Sequence, residues 1–460
     1  MASKRGLLLS AALSIMLAAS PAAAESITEA LAAAYANNPQ LNAARAGTRA
    51  TDESVPQALA NYRPTISAYS TASESWSKGL VSRPFQSPIV SESDTQALTA
   101  GITIVQPLFR GFRTENGVLA AEASVRASRE SLRNVEQSVL YSAASAYMDV
   151  IRDDAILALR KNNVEFLREQ VRAAEDRFQV GEGTRTDVAQ AEAALATATS
   201  LVSVAQANAL ASRATYRQVI GHDPKNLKAS RGVDVFLPKS LDAATKISRA
   251  QHPAILATVH NADAASYNVK IAEGALLPTL QLEAGVSRTW TYDGGRPSDE
   301  ASLVARLNIP IYEGGVVYSQ VREAKETLGQ LRIVTDQTRD EVQASLVAAW
   351  GALEAARAQT VAAKAGVEAA QLALQGVIEE QKVGQRTTLD VLQSQQDVID
   401  TRITQITAER DSVVAAYAIL SGIGKLSRDT LNLKVASYKP EQHYQQVRDK
   451  WIGLRTPDGR

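Results

Sequence analysis

Two nearly matching strings hold the most distinctive polar residues of this chain. They are Val180-Gly181-Glu182-Gly183-Thr184-Arg185-Thr186-Asp187-Val188 and Val383-Gly384-Gln385-Arg386-Thr387-Thr388-Leu389-Asp390-Val391. In each, a threonine stands three residues before an aspartate: Thr184 before Asp187, Thr387 before Asp390. That spacing is the capping box of a helix N-terminus, where hydroxyl and carboxylate satisfy the first free N–H groups. Arg386 adds a planar cation suited to a charge-assisted contact with a carboxylate. Catalytic chemistry is missing. Gly181-Glu182-Gly183-Thr184 lacks the Gly-Lys-Ser/Thr ending of a phosphate loop. The four histidines, His222, His252, His260 and His443, are scattered, and without cysteine they make no metal set. No nucleophile–base pair or acid dyad stands out. The reading is a non-enzyme with no cofactor.

The two strings are one motif written twice, at a constant offset of 203 residues. Pro107 and Pro310 share that offset, as do Gly221 and Gly424. Nearer the N-terminus the offset is 214: Ser26 with Ser240, Pro39 with Pro253, Pro64 with Pro278. The first copy therefore carries eleven extra residues between Pro64 and Pro107. A tandem duplication of this size predicts two similar structural units rather than a short-period solenoid.

The N-terminus reads as a secretory signal over residues 1–24. Lys4 and Arg5 are its basic region, Leu7 to Ala19 its apolar run, and Ala22-Ala23-Ala24 its small-residue cleavage site. An exported chain without cysteine relies on packing and oligomerisation rather than disulfides. Lys plus Arg number 49 and Asp plus Glu 49, a balance that gives no reason to invoke nucleic acid. No later stretch approaches 18 consecutive apolar residues, so no membrane helix is expected after the signal.

Each copy reads helix, strand, strand, very long helix, turn, helix. The first repeat (25–239) has a helix over 26–63, strands over 65–76 and 97–106, a long helix over 111–179 and a helix over 186–220. The second (240–424) has a helix over 240–276, strands over 279–290 and 301–309, a long helix over 313–381 and a helix over 387–421. No proline falls between Pro107 and Pro224 or between Pro310 and Pro440, and alanine is abundant there. Residues recur every seven at Ala143, Val150, Leu157, Val164, Val171 and Phe178, then at Leu346, Leu353, Thr360, Val367 and Leu374, a coiled-coil seam with one threonine in it. A helix over 111–179 would be about 100 Å long. Residues 425–460 break the pattern, and the last fifteen or so read as disordered.

The strands separate two readings. Long helices alone fit a periplasmic coiled-coil adaptor or scaffold. Leu280, Leu282, Ala284 and Val286, however, alternate with Thr279, Gln281, Glu283 and Gly285, and Leu303, Ala305 and Leu307 alternate with Ser302, Val304 and Arg306. Such strands have one apolar and one polar face, and about ten residues suffice for a tilted membrane strand. Trp76, Trp290 and Tyr292 at one end, with Tyr62, Phe109, Phe112 and Tyr312 at the other, resemble the two aromatic girdles of an outer-membrane barrel. Four strands leave two open edges, which lipid does not tolerate. Several chains must then share one barrel, of eight, twelve or sixteen strands.

At this point the chain resembles the TolC family of outer-membrane efflux and secretion channels. The resemblance spans residues 25–424. It rests on the duplicated helix–strand–strand–helix order, on Val383 to Leu392, and on Ile104-Val105-Gln106-Pro107-Leu108-Phe109-Arg110-Gly111. It implies a fold that is mainly α with a small β part. Long coiled-coil helices would form an α-helical barrel, and four strands per chain would join a shared transmembrane β-barrel in the cell outer membrane. It implies a homotrimer whose tunnel extends into the Gram-negative periplasm. The tip would be opened by a periplasmic adaptor protein and an inner-membrane pump of RND or ABC type, for drug efflux or type I protein secretion. Residue by residue, it places Asp390 in an acidic selectivity ring, with Gln393 where the family has a second aspartate. It makes Arg386, Thr186 and Asp187 a latch between coiled coils, with Gln381 where a tyrosine is common. Gly181 and Gly384 make the tip turns, and Glu283 and Arg306 would face the lumen.

Overall fold

The computed structural model describes residues 24–229, 233–292 and 296–459. The signal segment expected over 1–24 lies outside them, apart from Ala24. In the first half, α1 (Ile27–Asn37), α2 (Pro39–Asp52) and α3 (Ser54–Leu59) lead to strands β1 (Thr65–Val81) and β2 (Ile89–Arg110). Helices α4 (Arg113–Gln179) and α5 (Arg185–Ile220) come next. The second half repeats the order: α6 (Leu241–Gln251), α7 (Pro253–Gly274), β3 (Thr279–Thr291), β4 (Ser298–Asn308), α8 (Val316–Lys382) and α9 (Thr388–Gly422). A short α10 (Pro440–Val447) comes last.

The uninterrupted helices expected over 26–63 and 240–276 are each broken, and the correction has a local cause. Proline disfavours the helical conformation of the residue before it. Asn38 and His252 accordingly adopt extended backbone (ψ 124° and 123°), and Pro39 and Pro253 restart the helix at its first position. Each junction residue also caps the helix that its proline starts. Asn38 Oδ1 accepts from the Gln40 and Leu41 N–H groups, and His252 Nδ1 accepts from the Ala254 N–H at 3.2 Å.

The long helices each run 67 residues, about 100 Å. Each folds back on its partner, α4 on α5 and α8 on α9, and α4 also packs on α9. The heptad positions Ala143, Val150, Val164, Leu346, Leu353 and Val367 are buried. At mid-height all these helices meet around Tyr147, Tyr216, Tyr417, Leu140 and Leu420. The Tyr147 hydroxyl shares its one proton between the carbonyls of Glu25 and Lys228 (2.8 and 2.7 Å), tying the N-terminal segment and the α5–α6 connection to the core. Toward the turns a smaller cluster of Val164, Leu167, Ala174, Ala191 and Leu392 continues the packing. There Gln395 Nε2 donates to Asn163 Oδ1 at 2.8 Å in a buried contact.

Among the described residues α5 is long and apolar enough to cross a membrane by composition, against the sequence expectation. Its place as one leg of a hairpin gives it another role. Much of it is left uncovered, with Val204 and Leu210 exposed.

The C-terminal segment folds back on α2. His443 Nδ1 lies 2.9 Å from Asp52 Oδ2 in a buried pair, and the Arg45 guanidinium stacks on Tyr35 and Tyr438. The tail read as disordered makes contacts of its own: Arg63 lies over Trp451, and Arg49 pairs with Asp458 at 3.4 Å.

The four strands form one antiparallel sheet in the order β1-β2-β3-β4. The eleven additional residues of the first copy lengthen the β1–β2 hairpin, so its strands exceed the expected 65–76 and 97–106, whereas β3 and β4 keep close to theirs. β1 and β4 are edges. Neither has a partner on its outer side, and both are exposed along their whole length.

Candidate functional site

The turn between each pair of long helices is built by backbone rules that its glycine makes possible. Gly181 (φ +81°) and Gly384 (φ +80°) sit in the left-handed region, which costs other residues a Cβ clash. At the first turn the Glu182 N–H donates to the Arg177 carbonyl and the Gly181 N–H to that of Phe178. At the second, Gln385 donates to Glu380 and Gly384 to Gln381. These are paired Schellman closures of a helix C-terminus. Next, Thr184 and Thr387 cap the returning helices, each with its full reciprocal box to Asp187 or Asp390. The capping reading of the Thr-x-x-Asp spacing is therefore correct at both tips.

The box does not exhaust the aspartates. Asp390 takes the Thr387 N–H and hydroxyl on Oδ2, both at 2.8 Å, and Asp187 likewise uses Oδ2. In each, Oδ1 is left for a second contact. The Thr387 N–H, then the Thr387 hydroxyl, hold the Asp390 carboxyl below the usual carboxylate range, with help from Arg386. A fixed negative charge thus stands at the turn across the physiological range.

Arg386 does not reach Thr186 or Asp187 within the chain. Its Nε donates to Glu380 Oε2 at 2.9 Å, on the last turn of α8. Glu380 raises the arginine further above its ordinary value, with Asp390 a lesser cause. Gln381 Nε2 donates to Thr388 Oγ1 at 3.3 Å, so it too is engaged inside its own hairpin. Thr186 is exposed. Sequence reading missed Glu380. The available signal was an acid six residues before Arg386, across a turn whose closure brings those positions together.

In the sheet, the register puts the expected residues on consistent faces, because directly paired residues share a face. Ile66, Ile104, Ala284 and Leu303 form one row, and Ala68, Ile102, Val286 and Ala301 the next. The opposite face carries Ser67, Thr103, Gly285 and Ser302, then Thr71, Thr99, Thr289 and Ser298. Glu283 and Arg306 lie on that polar face. Arg306 donates to both Glu283 oxygens (3.2 and 3.1 Å), and Gln281 adds a bond of 2.6 Å. Charged pairs depart from the pattern toward the hairpin ends, Lys78 with Glu92 on β1–β2 among them. Arg288 and Asp299, directly opposed on the apolar face, make a bidentate bridge of 2.5 and 2.6 Å next to Trp290. The expected β4 start at residue 301 hid it, since Asp299 lay outside the strand. The described residues hold no cluster of side chains able to bind a metal.

Comparison with known proteins agrees with this geometry. A family model described as "Outer membrane efflux protein" matches residues 30–222 and 245–425, one stretch per repeat. The chain is 49% identical over 447 residues to the outer membrane efflux protein BepC of Brucella suis, covering 97% of this chain and 95% of that one. It is 25% identical over 450 residues to the outer membrane protein TolC of Vibrio cholerae, covering 90% and 95%. Among solved structures it superposes on the Campylobacter jejuni CmeC outer membrane channel with a TM-score of 0.76 at 16% identity, over 92% of this chain and 89% of the other. For CusC the TM-score is 0.75 at 18% identity, over 86% and 91%. These matches place the protein in the outer membrane, with its helices extending into the periplasm, as a transport protein and not an enzyme. The chain belongs to the TolC family of outer membrane efflux proteins.

Proposed function

We propose that three copies of this chain assemble into a channel-tunnel that serves as an exit duct across the periplasm and outer membrane, for tripartite drug efflux or type I secretion. One observation carries the reading: a four-stranded sheet with one apolar face and two unpaired edges. Unpaired backbone groups cannot face hydrocarbon, and a closed barrel needs at least about eight strands. Closure therefore requires further copies, with β4 of one chain pairing with β1 of the next. The family resemblance selects three, giving twelve strands. Exposed apolar residues on α5 and α8, among them Val204, Leu210, Val361 and Leu372, supply surface for the same neighbours. Mass measurement in mild detergent should give three chains, and a stable monomer that keeps its β signal would refute the assembly.

In that assembly the apolar row of Ile102 and Val286 faces lipid, and Glu283 with Arg306 faces the lumen. Three Asp390 carboxylates ring the narrow end and favour cations. Arg386 latches one hairpin to the Thr186–Asp187 corner of another and holds the tip closed until an adaptor and an RND or ABC-type inner-membrane pump engage it. The free Oδ1 of Asp187 and the exposed Thr186 hydroxyl are the acceptors available to it. Helices this long open by a small rearrangement at their interfaces rather than by unfolding. Arg386→Ser should raise the open fraction in planar bilayers at unchanged expression. Wild-type conductance in that variant would show that the latch lies elsewhere.

A further inference from the structure

We propose that Glu380 is a counter-latch: it captures Arg386 on its own hairpin and so stabilises the released, open tip against the latched one. The inference rests on the latch reading above and adds the residue that competes with it. The observation is the ion pair itself, Arg386 Nε to Glu380 Oε2 at 2.9 Å, between side chains that are each about half exposed (50% and 47%). The backbone presents the two together. The Gln385 N–H closes onto the Glu380 carbonyl at 2.9 Å, which fixes the last turn of α8 next to residue 386.

The duplicated tip shows that this pair is not needed to make the turn. At the offset of 203, the counterparts of Glu380 and Arg386 are Arg177 and Gly183. These positions adjoin there too, since a Cβ on Gly183 would stand 3.2 Å from the Arg177 Cβ. Yet the first tip forms the same Schellman closure and the same capping box with no acid–base pair there. The pair belongs to the second tip alone, the one that carries the latch arginine. The Glu380 contact is about half exposed and Thr186 is exposed, so an ion pair at either place is weak and neither dominates by a large factor. A modest pull from a partner can then move the arginine from Asp187 to Glu380. The released arginine is met by a carboxylate rather than left unpaired.

The test uses the full-length protein in planar bilayers, with Glu380→Gln, Arg386→Ser and the double variant, each first shown to assemble as wild type does. Glu380→Gln should lower the open fraction a few-fold, about the size one exposed ion pair supports. Arg386→Ser should raise it. The double variant should match Arg386→Ser, because Glu380 acts only through the arginine. If Arg386→Ser opens the tip but Glu380→Gln leaves it unchanged or opens it further, the counter-latch is wrong while the latch stands. A Glu380→Gln effect that persists in the Arg386→Ser background would mark a general charge effect and also overturn it. If Arg386→Ser itself has no effect, the latch fails and takes the counter-latch with it.

Discussion

The junction at His252 should make the start of α7 acid-sensitive and leave the equivalent start of α2 indifferent. His252 is 7% exposed, and burial pushes its pKa down to about 4, with a hydrogen bond to the Ser421 backbone working weakly the other way. The neutral ring serves both contacts: Nδ1 accepts from the Ala254 N–H, and the proton sits on Nε2. A histidine whose folded pKa is depressed contributes stability that is fully present above its unfolded value, near 6.5, and lost as pH falls toward the folded value. The full loss, below pH 4, is about 3 kcal/mol per chain; at pH 5 it is about 2 kcal/mol, or about thirtyfold in a local opening equilibrium. The first repeat supplies the control. Asn38 stands at the equivalent position, caps α2 in the same way and does not titrate. Hydrogen exchange at the first amides of α7, corrected for intrinsic rates, should lose about thirtyfold protection between pH 7.5 and pH 5. The first amides of α2 should not. His252→Asn should abolish the difference while keeping the cap. Equal pH dependence at the two junctions in the wild type, or an unchanged α7 response in His252→Asn, would refute the reasoning.

Two further outcomes test the proposed lumen and lipid faces. Asp390→Ala should weaken block by divalent or trivalent cations and leave the closed diameter nearly unchanged. Because Thr387 depresses the Asp390 pKa, wild-type block should hold from pH 7 down to the ordinary carboxylate range near pH 4. Block that fades already at pH 6 would assign it to another group. Arginine at Ile102 should cost about 2–4 kcal/mol if that side chain meets lipid at mid-depth, and reduce assembled channel. Arginine at Thr103 should spare assembly and change conductance or ion selectivity. Equal damage from both would overturn the assignment of faces.

Much of this architecture was legible because the sequence states it twice. Period-seven apolar residues and the absence of proline marked α4 and α8, whose ends fall within three residues of expectation. Period-two alternation in β3 and β4 fixed which residues share a face before any register was known. Two features were not legible for physical reasons. The breaks at Asn38 and His252 require weighing one proline against a long helical pattern, and the proline wins because the residue before it loses the α conformation. The Arg288–Asp299 bridge depends on register across a hairpin, which alternation within one strand does not reveal.

Comparing the two tips separates what builds the turn from what acts at it. Gly181 and Gly384, Thr184 and Thr387, and Asp187 and Asp390 are the same residue at both tips, and each has a backbone bond or a left-handed conformation that demands it. These six would be present in any helical hairpin closed in this way, and their recurrence argues for structure. Among the positions that differ, Arg177 stands against Glu380, Phe178 against Gln381, Gly183 against Arg386, Arg185 against Thr388 and Thr186 against Leu389. No backbone requirement explains those differences, since the turn closes identically around both sets. In the second tip these positions make two side-chain contacts that the first tip lacks: Glu380 holds Arg386, and Gln381 reaches Thr388. The duplication thus acts as an internal control. Where both copies agree the chain is folding, and where they part at constant backbone the chain has been free to specialise. On that argument the proposed gating role falls to the α8–α9 tip, with the α4–α5 tip as the proposed surface for its latch.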